Sequence, residues 1–230
     1  MTDTLRSCIV AEEGYSFISL DASQIELRVL AILSNDPQML EDLETGDIHQ
    51  ATANRMGVSR YDGKQGNFAM VYGADEYKLA EMLECSTTEA LEFMAEHKKT
   101  YPRLYAWMEE EKAKVRKAGY TISMFGRIRP LPDLSAGSWK IRQGAEREII
   151  NTIVQGTAVD IVKLVGLYLR SVLDYAIRFI LQVHDEWLLE CPDELVQETV
   201  EQCRKLDQMF PQYPFKISIG TVYNQLKEEK

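Results

Sequence analysis

Histidine and cysteine are scarce in this chain, and the few present are scattered. His49, His97 and His184 are its three histidines, and Cys8, Cys85, Cys191 and Cys203 its four cysteines, across 230 residues. No CxxC pair occurs and no two histidines stand at ligand spacing, which excludes a zinc finger and a disulfide framework and reads as reduced thiols of a cytosolic protein. A run of about 18 apolar residues is also missing, so no membrane span is expected. The first ten residues, "MTDTLRSCIV", have the pattern of neither a signal peptide nor a transit peptide. There is no internal repeat and no low-complexity linker. Basic charge is in deficit, with 26 Lys and Arg against 36 Asp and Glu and a net charge of −10. Taken alone, that balance argues against nucleic-acid binding. Its distribution argues the other way, because residues 98–147 hold 12 basic and 5 acidic side chains. Such a stretch could track phosphates while the acidic remainder keeps the chain dispersed. For the segment "EEEKAKVRK" the alternative is a solvated charged helix.

What is there begins with a short apolar run. Tyr15, Phe17, Ile18 and Leu20 read as a buried strand that stops at Asp21, and Ile25, Leu27, Val29, Leu30 and Ile32 read as a helix straight after it. Asp36 with Pro37 starts a second helix. "TGDIHQATANRMG" is a third, ending at Gly57. The "STTE" box from Ser86 to Glu89 opens another toward Tyr101, and Pro102 starts the next, which ends near Gly119. "YTISMFGRIRPLP" predicts a hairpin turning near Gly126. A long helix is expected over 140–173, where Arg147, Asn151 and Gln155 at i, i+4 and i+8 form one polar stripe. "AIRFILQV" and "EWLLE" read as antiparallel strands joined by a tight "HD" turn. A helix over 193–209 and a strand "FKISIG" close the chain. The order strand, helices, two strands, helix, strand predicts an α+β fold with a helical insertion.

Two lone acidic sites stand at the ends of apolar strands, Asp21 and the Asp185–Glu186 pair. Aspartates on neighbouring strands could hold two Mg²⁺ ions about 4 Å apart, as used in in-line phosphoryl transfer. The alternative for Asp21 is a helix N-cap.

The segments "DASQIELR", "KQGNFAMVYG" and "QVHDE", in this order, resemble motifs A, B and C of family A DNA polymerases. "GDIHQATA", "YPRLYAWM", "GRIRPLPD" and "EREIINTIVQGTAVDIVK" are similar to the family's connecting segments, and the resemblance runs from about Leu5 to Asn224. It implies an antiparallel palm-type sheet with a helical fingers insertion and no thumb: palm over 1–35, fingers over 36–120 and palm again over 121–230. Asp21 and Asp185 would then be the metal-binding aspartates for two Mg²⁺ ions, with the Ala22 carbonyl as a further ligand and Glu186 as an accessory carboxylate. Arg60, Lys64, Phe68 and Tyr72 match the fingers-helix pattern, and their i, i+4 steps put them on one face. Arg60, Lys64 and His49 would hold the triphosphate, with Lys64 placed to protonate the leaving pyrophosphate. Phe68 would lie against sugar and base, and Tyr72 near the templating base. Gln24 and Glu26 would border the sugar, where a carboxylate crowds a ribose 2′-OH. Arg147, Asn151, Gln155 and His184 would touch the primer–template. Gly63 and Gly66 each cost about 1 kcal/mol of helix propensity, so the first turn of the fingers helix, with Arg60, is expected to be loose.

The implied activity is addition of deoxynucleoside triphosphates to a primer on template DNA. The resemblance also implies a separate chain supplying a thumb and the first part of the palm, and a cytoplasmic, nucleoid-associated location in a bacterial or phage-infected cell. Two other function classes compete. A non-catalytic nucleic-acid or partner-binding remnant would not need Asp21, Asp185, Lys64 and Arg147 together. A metal-dependent phosphohydrolase would have no use for the Phe68/Tyr72 face or for Glu26.

Overall fold

The computed structural model describes residues 3–229. Its helices are, in chain order, α1 (Asp3–Arg6), α2 (Ile25–Ser34), α3 (Pro37–Glu44), α4 (Ile48–Met56), α5 (Arg60–Val71), α6 (Glu76–Leu83), α7 (Thr87–Thr100), α8 (Pro102–Ala118), α9 (Trp139–Val172), α10 (Val196–Arg204) and α11 (Leu206–Met209). The strands are β1 (Tyr15–Ala22), β2 (Tyr120–Ile122), β3 (Ile128–Pro130), β4 (Arg178–Val183), β5 (Glu186–Pro192), β6 (Phe215–Gly220) and β7 (Lys227–Glu228). The fold is α+β, and the chain divides into two compact units, residues 1–25 with 158–230 and residues 26–157.

The first unit is built on a five-stranded antiparallel sheet in the order β4-β5-β1-β6-β7. Alternation along β1 sorts its side chains. Ile18 and Leu20 turn to a core with Val165, Leu169, Leu189, Val200, Cys203 and Leu206. Phe17 joins Leu188 and Tyr223 in a separate cluster, so with period 2 Ser19 and Asp21 share the Phe17 face. Close packing of helix on sheet depends on Gly166, where a Cβ would come within 2.5 Å of the Trp187 ring. The Trp187 indole N–H donates to the Val162 carbonyl at 2.9 Å. The single helix expected over 193–209 is instead a 3₁₀ turn at Asp193–Leu195 followed by α10 and α11. By length and composition α9 could cross a membrane, contrary to the sequence expectation, but half of its most apolar stretch is buried inside the protein, as in a core helix.

The second unit is helical apart from the β2–β3 hairpin, whose turn holds Gly126 at φ 83°. One buried carboxylate caps two of its helices. Asp36 accepts from the Met39 amide at the start of α3 and from the Arg103 and Leu104 amides at the start of α8. The Ser86–Glu89 capping box opens α7 as expected. The first turn of α5 is fully helical, contrary to the expectation from its glycines, and Ser59 caps it. The reason is packing. A Cβ on Gly63 would lie 2.5 Å from the His49 carbonyl oxygen, and one on Gly66 would lie 2.2 Å from Phe93. Both glycines let α5 approach its neighbours more closely than any side chain allows, which offsets their propensity cost.

Candidate active site

In the first unit the acidic residues meet at one end of the sheet. Asp21 lies inside β1, opposite Glu186 on one side and Lys216 on the other. It precedes the first residue of α2 by four positions and is not that helix's cap. Asp185 occupies the two-residue turn between β4 and β5 with His184, and its carbonyl accepts from the Ala22 amide at 3.2 Å. That bond ties the turn to the end of β1. Burial, and then the negative charges of Asp185 and Glu186, push the Asp21 carboxyl up to about 6, against the opposing pull of Lys216 and Arg6. Glu186 is already engaged: Ser19 donates to it at 2.6 Å, Tyr223 at 2.6 Å and Arg6 at 3.4 Å. Among the described residues, no three His, Cys, Asp or Glu side chains gather so as to hold a metal ion unaided. The donors are all hard oxygens and mutually repulsive, which suits Mg²⁺, an ion that keeps waters and takes the rest of its shell from substrate phosphates.

Two residues beside these acids are held in unusual backbone conformations. Gln24 has φ 56° and His184 has φ 54°, both left-handed. Strain of this kind persists where the surrounding structure imposes it. The Gln24 side-chain oxygen is also buried without a hydrogen-bond partner.

The second unit gathers a different set. Asp47 caps α4 and also receives the Arg60 guanidinium at 2.6 Å. The Phe68 ring stacks on Tyr72 at 6.0 Å between centroids and meets His49 at 5.8 Å. The Tyr72 hydroxyl donates to Glu26, and Tyr72 also hydrogen-bonds Gln155. Burial, and then Glu26, push the Tyr72 phenol well above its ordinary range. His49 is pushed down to about 4, mainly by burial, against the pull of the Asp47 carboxylate and with the positive charges of Arg60 and Lys64 adding to the effect. Contacts therefore run from His49, itself buried, to Phe68, from Phe68 to Tyr72 and from Tyr72 to Glu26 and Gln155, while Arg60 and Lys64 act on His49 through their charge. Beside Phe68 and Tyr72 lies a concavity of about 440 Å³ that Arg147 also lines. On the same stripe as Arg147, the Asn151 side-chain oxygen is buried without a partner.

The basic stretch is less available than its count suggests. Arg103, Lys112, Lys114, Arg116 and Arg129 are ion-paired with Glu110, Glu109, Glu111, Glu146 and Glu148. Among the described residues, Lys98, Lys117, Lys140, Arg142 and Arg147 of that stretch form no ion pair. The sequence reading missed Arg6, Ser19, Lys216 and Tyr223 around the acids, and Asp47 and Asn67 behind the helical face. Lys216 occupies an exposed position of β6, opposite Asp21 on the paired strand, so no local pattern in the sequence pointed to it.

A sequence profile of DNA polymerase family A matches residues 1–224. The thermostable DNA polymerase I of Thermus thermophilus is 37% identical over 229 residues, covering 94% of this chain and 28% of its own length. DNA polymerase I of Pseudomonas aeruginosa is 34% identical over 215 residues, 88% of this chain and 24% of its own. Among solved structures, the polymerase domain of Pol1 from M. smegmatis, in complex with DNA primer–template and dNTP, superposes with a TM-score of 0.88 at 30% identity, over 96% of this chain and 42% of that one. The chain thus spans about a quarter of the length of these full-length relatives. With the profile running through nearly every residue, and the carboxylate pair and the aromatic helix face each assembled where its motifs stand, this chain belongs to DNA polymerase family A.

Proposed function

We propose that this chain carries the nucleotidyl-transfer centre of a DNA-templated DNA polymerase. The observation that carries the reading is the carboxylate cluster, in which Asp21 faces Glu186 across two strands and feels Asp185 at the adjoining turn. Lys216 and Arg6 offset only part of the repulsion among the three acids, since the Asp21 carboxyl stays raised, and a bound cation would offset the rest. Asp21, Asp185 and the Ala22 carbonyl would hold two Mg²⁺ ions, and Glu186, tied down by Ser19 and Tyr223, would keep its charge nearby without moving. When bound, the ions would supply positive charge to the attacking and leaving oxygens of an in-line displacement.

The chain's own side chains then bind and orient. Arg60, Lys64 and His49 hold the phosphates of a deoxynucleoside triphosphate, and Lys64 gives a proton to the departing pyrophosphate. Phe68 takes the sugar and base on its face, and Tyr72 stands next to the templating base. Glu26, with Gln24, borders the sugar. The Tyr72 hydroxyl fixes the Glu26 carboxylate, so the group that crowds a 2′-OH cannot swing away. Arg147, Asn151, Gln155 and His184 contact the primer–template, and the unpartnered Asn151 oxygen is a ready acceptor for such a contact. In this reading residues 1–35 and 121–230 are palm and 36–120 are fingers. Polypeptide outside these 230 residues supplies a thumb and the first part of the palm. It would cover Leu164 and Leu167, which α9 leaves 38% and 69% exposed, and the outer edge of β4. The whole works in the cytoplasm of a bacterial cell, at its DNA.

Single-nucleotide extension of a labelled primer in Mg²⁺ tests the assignment. Asp21→Ala and Asp185→Ala are each expected to remove addition while changing DNA binding little. Extension near the wild-type rate by either variant sinks it.

A further inference from the structure

Behind the nucleotide-facing surface of α5 runs a buried chain of hydrogen bonds that the roles above do not use. Asn67 is 2% exposed and His97 is 2% exposed. The Asn67 side-chain nitrogen lies 3.2 Å from His49 Nδ1. Its oxygen lies 3.0 Å from Thr52 Oγ1 and 3.0 Å from His97 Nε2. His97 Nδ1 lies 2.7 Å from the Tyr105 hydroxyl.

Donor bookkeeping from both ends gives this chain a direction. At one end is the Asp42 carboxylate, which can only accept. The Tyr101 hydroxyl gives its proton to Asp42 at 2.7 Å. The Thr52 hydroxyl, 3.4 Å from Tyr101, has its own proton free for the Asn67 oxygen. At the other end the half-buried Tyr105 hydroxyl lies 2.7 Å from His97 Nδ1, its one hydrogen-bond partner among the described residues, and we assign its proton to that contact. His97 is neutral, since burial pushes it down to about 3, and its one proton is therefore on Nε2, aimed at the Asn67 oxygen. Both ends put the oxygen of Asn67 on the inner side. Its NH₂ must then face His49 and donate to Nδ1. An imidazole that accepts at Nδ1 carries its proton on Nε2.

We propose that Asn67 is a positioning residue, itself oriented by His97 and Thr52, that locks His49 as the Nε2–H tautomer so that it presents a fixed donor to the phosphates of the incoming nucleotide. This rests on the reading of His49 as a phosphate contact. The alternative tautomer would turn a lone pair toward a polyanion, so random tautomer choice weakens binding even where the ring stays in place. A locked neutral imidazole is also the form that burial and the nearby Arg60 and Lys64 charges favour. Positive charge is left to Arg60 and Lys64, and His49 adds direction.

The test has two arms on the 230-residue chain. Imidazole ¹⁵N NMR without nucleotide reads the tautomer of His49 directly. Protonated Nε2 is expected, and protonated Nδ1 overturns the relay whatever the nucleotide does. Binding of dATP with Mg²⁺ is then measured across the cycle of wild type, Asn67→Ala, His49→Ala and the double variant. Asn67→Ala is expected to weaken binding by about tenfold, the loss of one oriented hydrogen bond of ~1.4 kcal/mol, and to have no further effect once His49 is alanine. Equal losses in both backgrounds overturn a route through His49. With Nε2 protonated and His49→Ala binding dATP like wild type, the phosphate role of His49 is the part that falls.

Discussion

Asp21 sits opposite Glu186, and burial with two neighbouring negative charges pushes its carboxyl up to about 6. Removing that charge is expected to stabilise the chain in metal-free buffer while destroying its chemistry. Asp21→Asn should gain about 1–2 kcal/mol near pH 7.5, the value being discounted for the partial solvent exposure of the group. It should also lose primer extension by at least about a thousandfold, since the amide holds a divalent cation far less well. Thermal melts with EDTA and single-turnover extension check the pair of effects, and a variant that is both less stable and active contradicts them. Glu26 offers a subtler readout. Glu26→Ala should narrow the preference for deoxy- over ribonucleotides by about tenfold or more, measured as the ratio of kcat/KM values. Tyr72→Phe, which removes only the hydroxyl that fixes Glu26, should move the same ratio by less. His97 sets a pH dependence of stability. Its folded value, about 3, lies below the ordinary 6.5, so its contribution is complete above pH 6.5 and is lost as pH falls toward 3. Roughly 2–4 kcal/mol should go over that window. His97→Phe should flatten the fall in Tm between pH 6.5 and 4, and an unchanged slope contradicts the assignment.

At the scale of elements, α5 shows what a sequence hides. Its i, i+4 face, Arg60 to Tyr72, was legible from spacing, and so was the polar stripe of α9. The order of the first turn of α5 was not. Propensity counts Gly63 and Gly66 as costs, whereas packing makes them requirements, and packing is a long-range fact absent from local pattern. Gly66→Ala should cost about 1–3 kcal/mol despite its better helix propensity, because its Cβ meets the Phe93 ring and the ring must move. Gly63→Ala meets a backbone oxygen instead, at His49. It should cost more than Gly66→Ala and also weaken nucleotide binding, since it displaces the segment carrying that histidine. Urea melts of both variants order the two costs, and a neutral Gly63→Ala would remove close packing as the reason for the helix's glycines. The hairpin carrying Asp185 was likewise legible, because two apolar runs flank a polar pair. The partners of Glu186 were not, since Arg6, Ser19 and Tyr223 come from three distant segments that only the folded sheet brings to one carboxylate. The long helix over 193–209 failed for a local reason: its chain turns at Lys205, between α10 and α11, where the periodic pattern continues.

For the whole molecule, the net charge of −10 and the internal pairing of much of the basic stretch leave few cations for a duplex. Primer–template affinity of the isolated chain should be weak, with a log–log salt slope of magnitude below about 5, because the slope counts phosphates neutralised. Fluorescence anisotropy over a salt series measures it, and a steeper slope would mean a basic surface that the ion pairs conceal. Weak grip and intact chemistry are separable, and the claim at the centre of this account concerns the chemistry. It is tested most directly by single-nucleotide extension of a primer–template in Mg²⁺. The 230-residue chain is assayed alone and with a separately supplied chain carrying thumb and first palm segments, as wild type and as Asp185→Ala. The account predicts that wild type adds the templated deoxynucleotide, faster with the added chain, and that Asp185→Ala adds none in either mixture. No addition by wild type in both mixtures, or addition that survives Asp185→Ala, would contradict it.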